Sequence, residues 1–145
     1  ISNFSCKLNQ IEKISVKDKA KDAPYKILAS RTFIEKESSK KLVKRLEKIS
    51  PVEIVHMGSS LKMCLIAEGK ADLYPRFGAT CEWDTTAAEV ILTEAGGFIF
   101  SVPYMKPLEY NKPREDFENP HVFAGGEFLE EYFDTEYVKT CRLEK

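Results

Sequence analysis

The amino-acid sequence predicts a single α/β domain in which strands alternate with helices. Short runs rich in Val, Ile, Leu and Phe recur along the chain, as at residues 52–56 and 98–101. Between them lie segments with apolar residues at helical spacing, and glycine or proline follows most of these segments. Such alternation is typical of layered α/β domains. We therefore predict a connector over residues 1–24, an α/β core over 25–133 and a loose polar tail over 134–145.

The first predicted helix lies between two predicted strands, at residues 25–29 and 52–56. Ser38 or Ser39 is suited to cap this helix, because a serine hydroxyl can accept a hydrogen bond from a free N–H group of the first turn. The apolar spacing predicts a helix that extends to residue 49, and the residues that carry it are Leu42, Val43, Leu46 and Ile49.

A second helix is predicted to follow the Gly58-Ser59-Ser60 turn and to end at Gly69, where glycine permits a left-handed C-cap. Cys64 falls on its apolar face, and we expect a buried thiol there. The other predicted elements are strands at 71–74, 98–101, 107–110 and 121–124, a loop at 78–82, and a terminal helix at 127–133.

The third predicted helix opens at Asp84 and stops at the pair Gly96-Gly97. Asp84 stands where an N-cap is expected and Gly96 where a left-handed C-cap is expected. The buried face should consist of Val90, Ile91, Leu92 and Ala95. A carboxylate held this rigidly suits metal binding as well as capping, and the spacing alone favours capping. Beside it, Trp83 is expected to pack against the protein and Glu82 to be solvated.

Two basic residues follow predicted strands at positions suited to phosphate. Gly58 is expected to allow a tight turn, Ser59 offers a hydroxyl, and Lys62 adds a positive charge one turn into a helix whose first N–H groups favour anions. Arg76 follows the next strand, and a guanidinium can grip a phosphate at two points. From the residues alone, a capping serine and a solvated lysine are favoured, and a solvated strand-end arginine is the alternative for Arg76.

Composition excludes several classes of function. The chain has 22 Lys+Arg and 23 Asp+Glu, for a net charge of −1, so it lacks the basic character of a general nucleic-acid-binding surface. No apolar run reaches the roughly 20 residues of a membrane span. The four cysteines are widely spaced, and neither His56 nor His121 stands at zinc-ligand spacing. We expect a cytoplasmic protein with reduced cysteines and structural histidines, and no nucleic-acid polymer or membrane as a partner.

Three motifs occur in an order that resembles a known family. Residues 83–97 read W-D-x-x-A-x-x-x-I-x-x-x-A-G-G, and upstream lie G-S-S-L-K at 58–62 and L-Y-P-R-F-G at 73–78. This ordered set, which runs from about residue 27 to residue 120, resembles the magnesium-dependent, lithium-sensitive phosphatases of the inositol-monophosphatase superfamily. Within that superfamily it is most similar to the CysQ-like 3′(2′),5′-bisphosphate nucleotidases.

The resemblance implies a fold, a reaction and a site. The fold would be the C-terminal α/β layered domain of the inositol-monophosphatase-like (sugar phosphatase) sandwich. The reaction would be phosphate monoester hydrolysis, in which adenosine 3′,5′-bisphosphate loses its 3′-phosphate to give AMP. Asp84 matches a ligand of the family's Mg²⁺ cluster that also lies at the substrate, and Mg²⁺ prefers such oxygen ligands. Ser59, Lys62 and Arg76 match positions that bind the substrate.

The sequence departs from the family pattern in two places. Residues 30–33 resemble a substrate-binding S-R-S-H segment, so Ser30 matches a binding position, but Phe33 replaces the histidine and is expected to be buried. The family's first signature, D-P-[IL]-D-G-T, does not occur, nor does its upstream metal-binding glutamate, and the chain begins at Ile1 rather than Met. We therefore expect the C-terminal half of such an enzyme, without a complete catalytic set, and inactive until joined by the N-terminal half.

Two alternatives remain open at this stage. Within the superfamily, the substrate could be an inositol phosphate or fructose 1,6-bisphosphate rather than a small-molecule nucleotide bisphosphate. From another class, the chain could be a non-catalytic fragment or a binding module that keeps half of the pocket.

Overall fold

The architecture comes from a computed structural model that describes residues 12–17, 23–102, 104–112 and 117–126. In chain order its elements are β1 (Tyr25–Ala29), a 3₁₀ turn (Phe33–Glu35), α1 (Glu37–Leu46), β2 (Val52–His56), α2 (Leu61–Ala67), β3 (Leu73–Arg76), β4 (Thr80–Cys81), α3 (Glu82–Glu94), β5 (Phe98–Val102), β6 (Glu118–Asn119) and β7 (His121–Gly125). Within the described residues, none of the helices has the length and apolar character needed to cross a membrane.

Five strands form the main sheet, in the order β2-β1-β3-β7-β5. Strand β1 runs parallel to both β2 and β3, whereas β7 is antiparallel to β3 and β5. A separate antiparallel pair joins β4 to β6. Because the carboxyl ends of parallel strands meet at one edge of a sheet, the segments that follow β1, β2 and β3 are brought together there.

Apolar side chains cover both faces of the sheet, because strand residues alternate between two cores. Ile27 and Leu73 pack with α1 and the 3₁₀ turn, while their neighbours Leu28 and Tyr74 pack with α2 and α3. Helices on both faces of a mixed sheet give a layered α/β domain, as the sequence predicted.

The first helix begins earlier than predicted. Lys36 is its N-cap, with an extended backbone (φ −82°, ψ 141°), so Ser38 and Ser39 lie buried inside α1 and neither caps it. The 3₁₀ turn ends at Glu35, and Lys36 follows it with an extended backbone, so the helix begins at Glu37. The helix ends at Leu46, and Ile49 lies beyond it with half of its surface exposed.

Both predicted glycine caps are confirmed. Gly96 has φ +91°, and the N–H groups of Gly96 and Gly97 donate to the carbonyls of Thr93 and Leu92. Gly69 has φ +67° and ends α2 in the same way. This is the Schellman arrangement, which satisfies carbonyls that the helix end leaves free.

Other predictions on single elements were wrong or fall outside the described residues. Residues 107–110 form no strand; a bridge joins Ser101 to Lys106 instead. The predicted loop at 78–82 contains β4, and Cys64 is half-buried rather than buried. The terminal helix at 127–133, the tail at 134–145 and most of the connector lie outside the described residues.

Candidate functional site

A cavity of about 370 Å³ lies at the edge of the sheet where the parallel strands end. The structure brings together at this cavity all five residues singled out from the sequence: Ser30 after β1, Ser59 after β2, Lys62 on α2, Arg76 at the end of β3 and Asp84 on α3. Tyr74 and Thr85, which sequence reasoning did not select, line it as well. The roles of all these residues remain predictions.

Asp84 is not the N-cap of α3. The helix begins at Glu82, so Asp84 is its third residue and Cys81 is the N-cap. The carboxylate Oδ2 of Asp84 accepts a hydrogen bond from the N–H of Cys81 at 2.8 Å, which is half of a capping box. The helix starts three residues earlier than predicted because the β4–β6 pairing ends at Cys81 and the N–H of Glu82 donates to the carbonyl of Phe117 at 2.9 Å. Capping therefore engages one carboxylate oxygen.

The buried face of α3 differs from the predicted one. Val90 and Ile91 are 58% and 41% exposed, and Trp83 is 67% exposed with its ring 6.1 Å from that of Phe117. Leu92 and the C-cap Ala95 are buried as predicted, and the other buried residues of α3 are Glu82, Thr85 and Ala88. Packing thus puts Thr85 inside the protein.

Glu82, which was expected to be solvated, is buried. Its carboxylate accepts hydrogen bonds from the backbone N–H of Asn111 at 2.6 Å and, more weakly, of Lys112 at 3.4 Å. Backbone donors compensate a buried carboxylate for its lost hydration. These partners lie about 30 residues along the chain, so no local pattern could have indicated them.

Lys62 is buried rather than solvated. Its ammonium donates to the carbonyl of Ser59 at 2.8 Å and to that of Met57 at 3.3 Å, and it lies 4.6 Å from the centre of the Tyr74 ring. Burial, and secondly the nearby guanidinium of Arg76, lowers the pKa of Lys62. Lys62 thus holds the loop that follows β2.

The tight turn in that loop falls on Ser59, not on Gly58 as predicted. Ser59 has φ +70°, a left-handed conformation that is costly for a residue with a Cβ, whereas a Cβ on Gly58 would meet nothing within 4 Å. The hydroxyl of Ser59 accepts a weak hydrogen bond from the N–H of Leu61 at 3.4 Å. The bond from Lys62 to the Ser59 carbonyl helps to maintain this conformation.

Arg76 lines the cavity, and one of its buried donors has no partner among the described residues. Its Nη2 donates to the carbonyl of Ala79 at 3.0 Å, but its buried Nε has no hydrogen-bond partner among the described residues. Burial raises the pKa of the Tyr74 hydroxyl, Arg76 opposes that rise and Asp84 adds to it. One cavity is therefore lined by two cationic side chains, those of Lys62 and Arg76, and by the carboxylate of Asp84.

A second cavity, of about 450 Å³, adjoins the first and shares Ser30, Met57 and Gly58 with it. His56 lies there, with its Nδ1 3.0 Å from the carbonyl oxygen of Ser30, a structural contact as predicted for this histidine. Phe33 does not reach this space: it is buried, as expected, and stacks on Phe77 with ring centres 6.3 Å apart.

Among the described residues, one acidic side chain, that of Asp84, lines the first cavity. In the described parts of the chain, no group of three or more His, Cys, Asp or Glu side chains is placed to hold a metal ion. A carboxylate beside free cavity space is chemically suited as one ligand of Mg²⁺, but a multi-metal site needs several.

Comparison with known proteins identifies relatives for most of the chain. The profile of the Inositol monophosphatase family matches residues 3–131. The 3′(2′),5′-bisphosphate nucleotidase CysQ of Haemophilus influenzae is 41% identical over 125 residues, which are 86% of this chain and 44% of that protein. The crystal structure of CysQ from Bacteroides thetaiotaomicron is 37% identical, with a TM-score of 0.65 over 79% of this chain and 41% of that one.

A more distant structure shares the fold alone. Inositol monophosphatase II of Staphylococcus aureus is 16% identical, with a TM-score of 0.60 over 87% of this chain and 44% of its own. The chain thus spans less than half the length of the CysQ proteins and of this phosphatase.

Proposed function

The chain belongs to the Inositol monophosphatase family, and from this premise we propose that it forms the C-terminal part of a phosphatase that removes the 3′-phosphate of adenosine 3′,5′-bisphosphate. The observation that carries the proposal is the convergence of Ser30, Ser59, Lys62, Arg76 and Asp84 on one cavity. The part of the relatives' length that this chain does not span supplies the other metal ligands and catalytic groups. A protein that joins this chain to that remaining part is called the complete enzyme.

The charges of the cavity suit a substrate with two phosphates. Arg76 lines the cavity, and a phosphate oxygen is an acceptor that a guanidinium group favours. The ammonium of Lys62 adds positive charge behind the Met57–Ser59 loop. A hydrogen bond to a charged group contributes about 1.5–3 kcal/mol, so Arg76 favours a substrate that carries a second anion.

Asp84 is suited to bind one Mg²⁺ ion together with ligands from the rest of the complete enzyme. Magnesium, when bound, activates water and neutralises phosphate oxygens. The contribution of this chain is to hold the carboxylate still, through the bond from Cys81 N–H, and to orient the phosphate beside it through Arg76.

The names of the relatives favour a nucleotide bisphosphate over a sugar phosphate as the substrate. The relatives at 41% and 37% identity are CysQ proteins, and the one from H. influenzae is named a 3′(2′),5′-bisphosphate nucleotidase. The inositol phosphatase is only 16% identical, which carries no argument beyond the fold.

The test is phosphate release by the complete enzyme with Mg²⁺, from adenosine 3′,5′-bisphosphate, inositol 1-phosphate and fructose 1,6-bisphosphate in parallel. We expect the highest kcat/KM with the nucleotide. A higher kcat/KM with inositol 1-phosphate or fructose 1,6-bisphosphate would show that the nucleotide is not the preferred substrate. No release from any of the three would favour a non-catalytic role.

A further inference from the structure

We infer that Asn119 is a positioning residue for Asp84: its amide fixes the backbone of Cys81, to which the Asp84 carboxylate is hydrogen-bonded. This inference rests on the proposed function in one respect, namely that Asp84 binds a metal ion. No motif in the sequence pointed to Asn119, which lies 35 residues beyond Asp84 in the short strand β6.

Asn119 is buried, and three acceptors lie within hydrogen-bond distance of its amide nitrogen, so two of them share one of its two hydrogens. Nδ2 lies 2.9 Å from the carbonyl oxygen of Cys81, 3.0 Å from the hydroxyl of Thr85 and 3.3 Å from that of Thr80. A carbonyl oxygen can only accept, so the amide must present its NH₂ group to Cys81. The side chain thus connects the end of β4, the N-cap and the first turn of α3.

Cys81 is held from both sides. Its carbonyl accepts from Asn119, and its N–H donates to Oδ2 of Asp84 at 2.8 Å. A shift of the Cys81 backbone would therefore move the N–H group that orients the Asp84 carboxylate. The chain of contacts runs from Asn119 through Cys81 to Asp84.

The Thr85 hydroxyl ties the same amide to the turn that carries Asp84. Thr85 is buried, and its Oγ1 donates to the carbonyl of Glu82 at 3.2 Å while accepting from Asn119 and, at 3.2 Å, from the Tyr110 hydroxyl. The carbonyl of Phe117 in addition accepts the N–H of Glu82. The first turn of a helix has free N–H groups and frays readily, so these contacts from residues 117–119 hold it in place.

The residue pair Thr85 and Thr86 offers a matched test. Both hydroxyls donate to the carbonyl of Glu82, at 3.2 Å and 2.6 Å, but only that of Thr85 is bonded to Asn119. Thr85→Val removes the acceptor of the amide at nearly constant volume, and Thr85→Ser restores the hydroxyl. Asn119→Leu removes the amide donors at similar size, and Thr86→Val is the control.

The experiment measures the dissociation constant of Mn²⁺, as a probe for Mg²⁺, by electron paramagnetic resonance on the complete enzyme, with urea unfolding on each variant. Loss of a group that orients a metal ligand typically weakens metal binding about 10- to 100-fold, and we expect the lower end for Asn119→Leu and Thr85→Val. Thr85→Ser and Thr86→Val should bind Mn²⁺ as wild type does.

Two outcomes separate this inference from the proposed function. If Asn119→Leu and Thr85→Val lower stability but bind Mn²⁺ with wild-type affinity, Asn119 is only structural and the inference is wrong. Asp84→Asn tests the premise, because asparagine at this position keeps an oxygen that can accept from Cys81 but loses the charge. Wild-type Mn²⁺ affinity in Asp84→Asn would refute the metal-binding role itself, whatever the Asn119 variants show.

Discussion

The ammonium of Lys62 lies 2.8 Å from the carbonyl oxygen of Ser59, the residue of the candidate site whose backbone is left-handed. Such a conformation costs about 1–2 kcal/mol for a residue with a Cβ, so it persists where the surroundings fix it. The buried lysine supplies a fixed contact of this kind. Its role in the site is thus to shape the loop at 57–59 as well as to supply charge.

Lys62→Met, which keeps the length of the side chain but removes its three donors, should loosen this loop in the complete enzyme. We expect faster amide hydrogen exchange over residues 57–61 and a lower kcat/KM on adenosine 3′,5′-bisphosphate and inositol 1-phosphate alike. Lys70→Met, at an exposed lysine beyond the end of α2, is the control. Unchanged exchange together with a loss confined to the nucleotide would assign Lys62 to direct substrate contact instead.

Arg76→Ala should discriminate between substrates. The loss of one charge-assisted contact of about 1.5–3 kcal/mol corresponds to a roughly 10- to 150-fold lower kcat/KM on adenosine 3′,5′-bisphosphate. The loss on inositol 1-phosphate should be smaller, since that substrate lacks a second phosphate. Arg45→Ala on α1 serves as the control, because α1 packs on the opposite face of the sheet from α2 and α3. Equal losses on both substrates would indicate a general electrostatic or folding role.

The 145-residue chain by itself should release no phosphate from adenosine 3′,5′-bisphosphate, with or without Mg²⁺. Its described residues place one carboxylate at the cavity, whereas activation of water by clustered metals requires several ligands. The assay is inorganic phosphate release by the purified chain, with the complete enzyme as the positive control. Mg²⁺-dependent turnover by the chain alone would show that the half-site interpretation is wrong.

The Glu89–Tyr110 pair should make stability depend on pH. Burial raises the pKa of Glu89, and the hydrogen bond from the Tyr110 hydroxyl opposes this rise only in part. A raised folded-state pKa contributes stability that is complete below the unfolded value of about 4.3 and is lost as pH rises through the folded value. The free energy of unfolding should therefore fall more with rising pH in wild type than in Glu89→Gln.

Urea unfolding at a series of pH values from acidic to neutral measures this difference. Glu94→Gln, which replaces an exposed carboxylate on the same helix, should follow the wild-type profile. Parallel profiles for wild type and Glu89→Gln would mean that the Glu89 carboxyl does not couple to folding.

Gly97→Ala should destabilise the fold, because a Cβ there would lie 2.4 Å from Cδ1 of Leu92 and 2.8 Å from the carbonyl oxygen of Gly125. Overpacking of this kind costs about 1–3 kcal/mol, which urea unfolding can measure. Gly58→Ala is the matched control, because its Cβ would meet nothing within 4 Å. Wild-type stability of Gly97→Ala would show that α3 and β7 can separate at this contact.

Much of the fold could be predicted from local patterns. The strands at 25–29 and 52–56 have the predicted bounds, and both left-handed glycines end helices as expected. These features depend on side-chain periodicity and backbone sterics within a few residues, which a sequence displays directly. The motifs likewise selected five residues that line one cavity. Four of them lie on segments at the ends of the parallel strands β1, β2 and β3, whereas Asp84 reaches the cavity from α3, which follows β4 of the separate strand pair.

The sequence by itself thus determined the five strands of the main sheet and the helices α1, α2 and α3 in their order, the family and the residues that meet at the candidate site. Only the tertiary structure decided how those residues are held: Asp84 inside its helix, Lys62 buried on backbone carbonyls, and Asn119 against Cys81 and Thr85. The partners of Asn119 lie 34 to 39 residues away. Hydrogen bonds over such separations form only after packing brings the segments together, so no local preference in the chain can specify them.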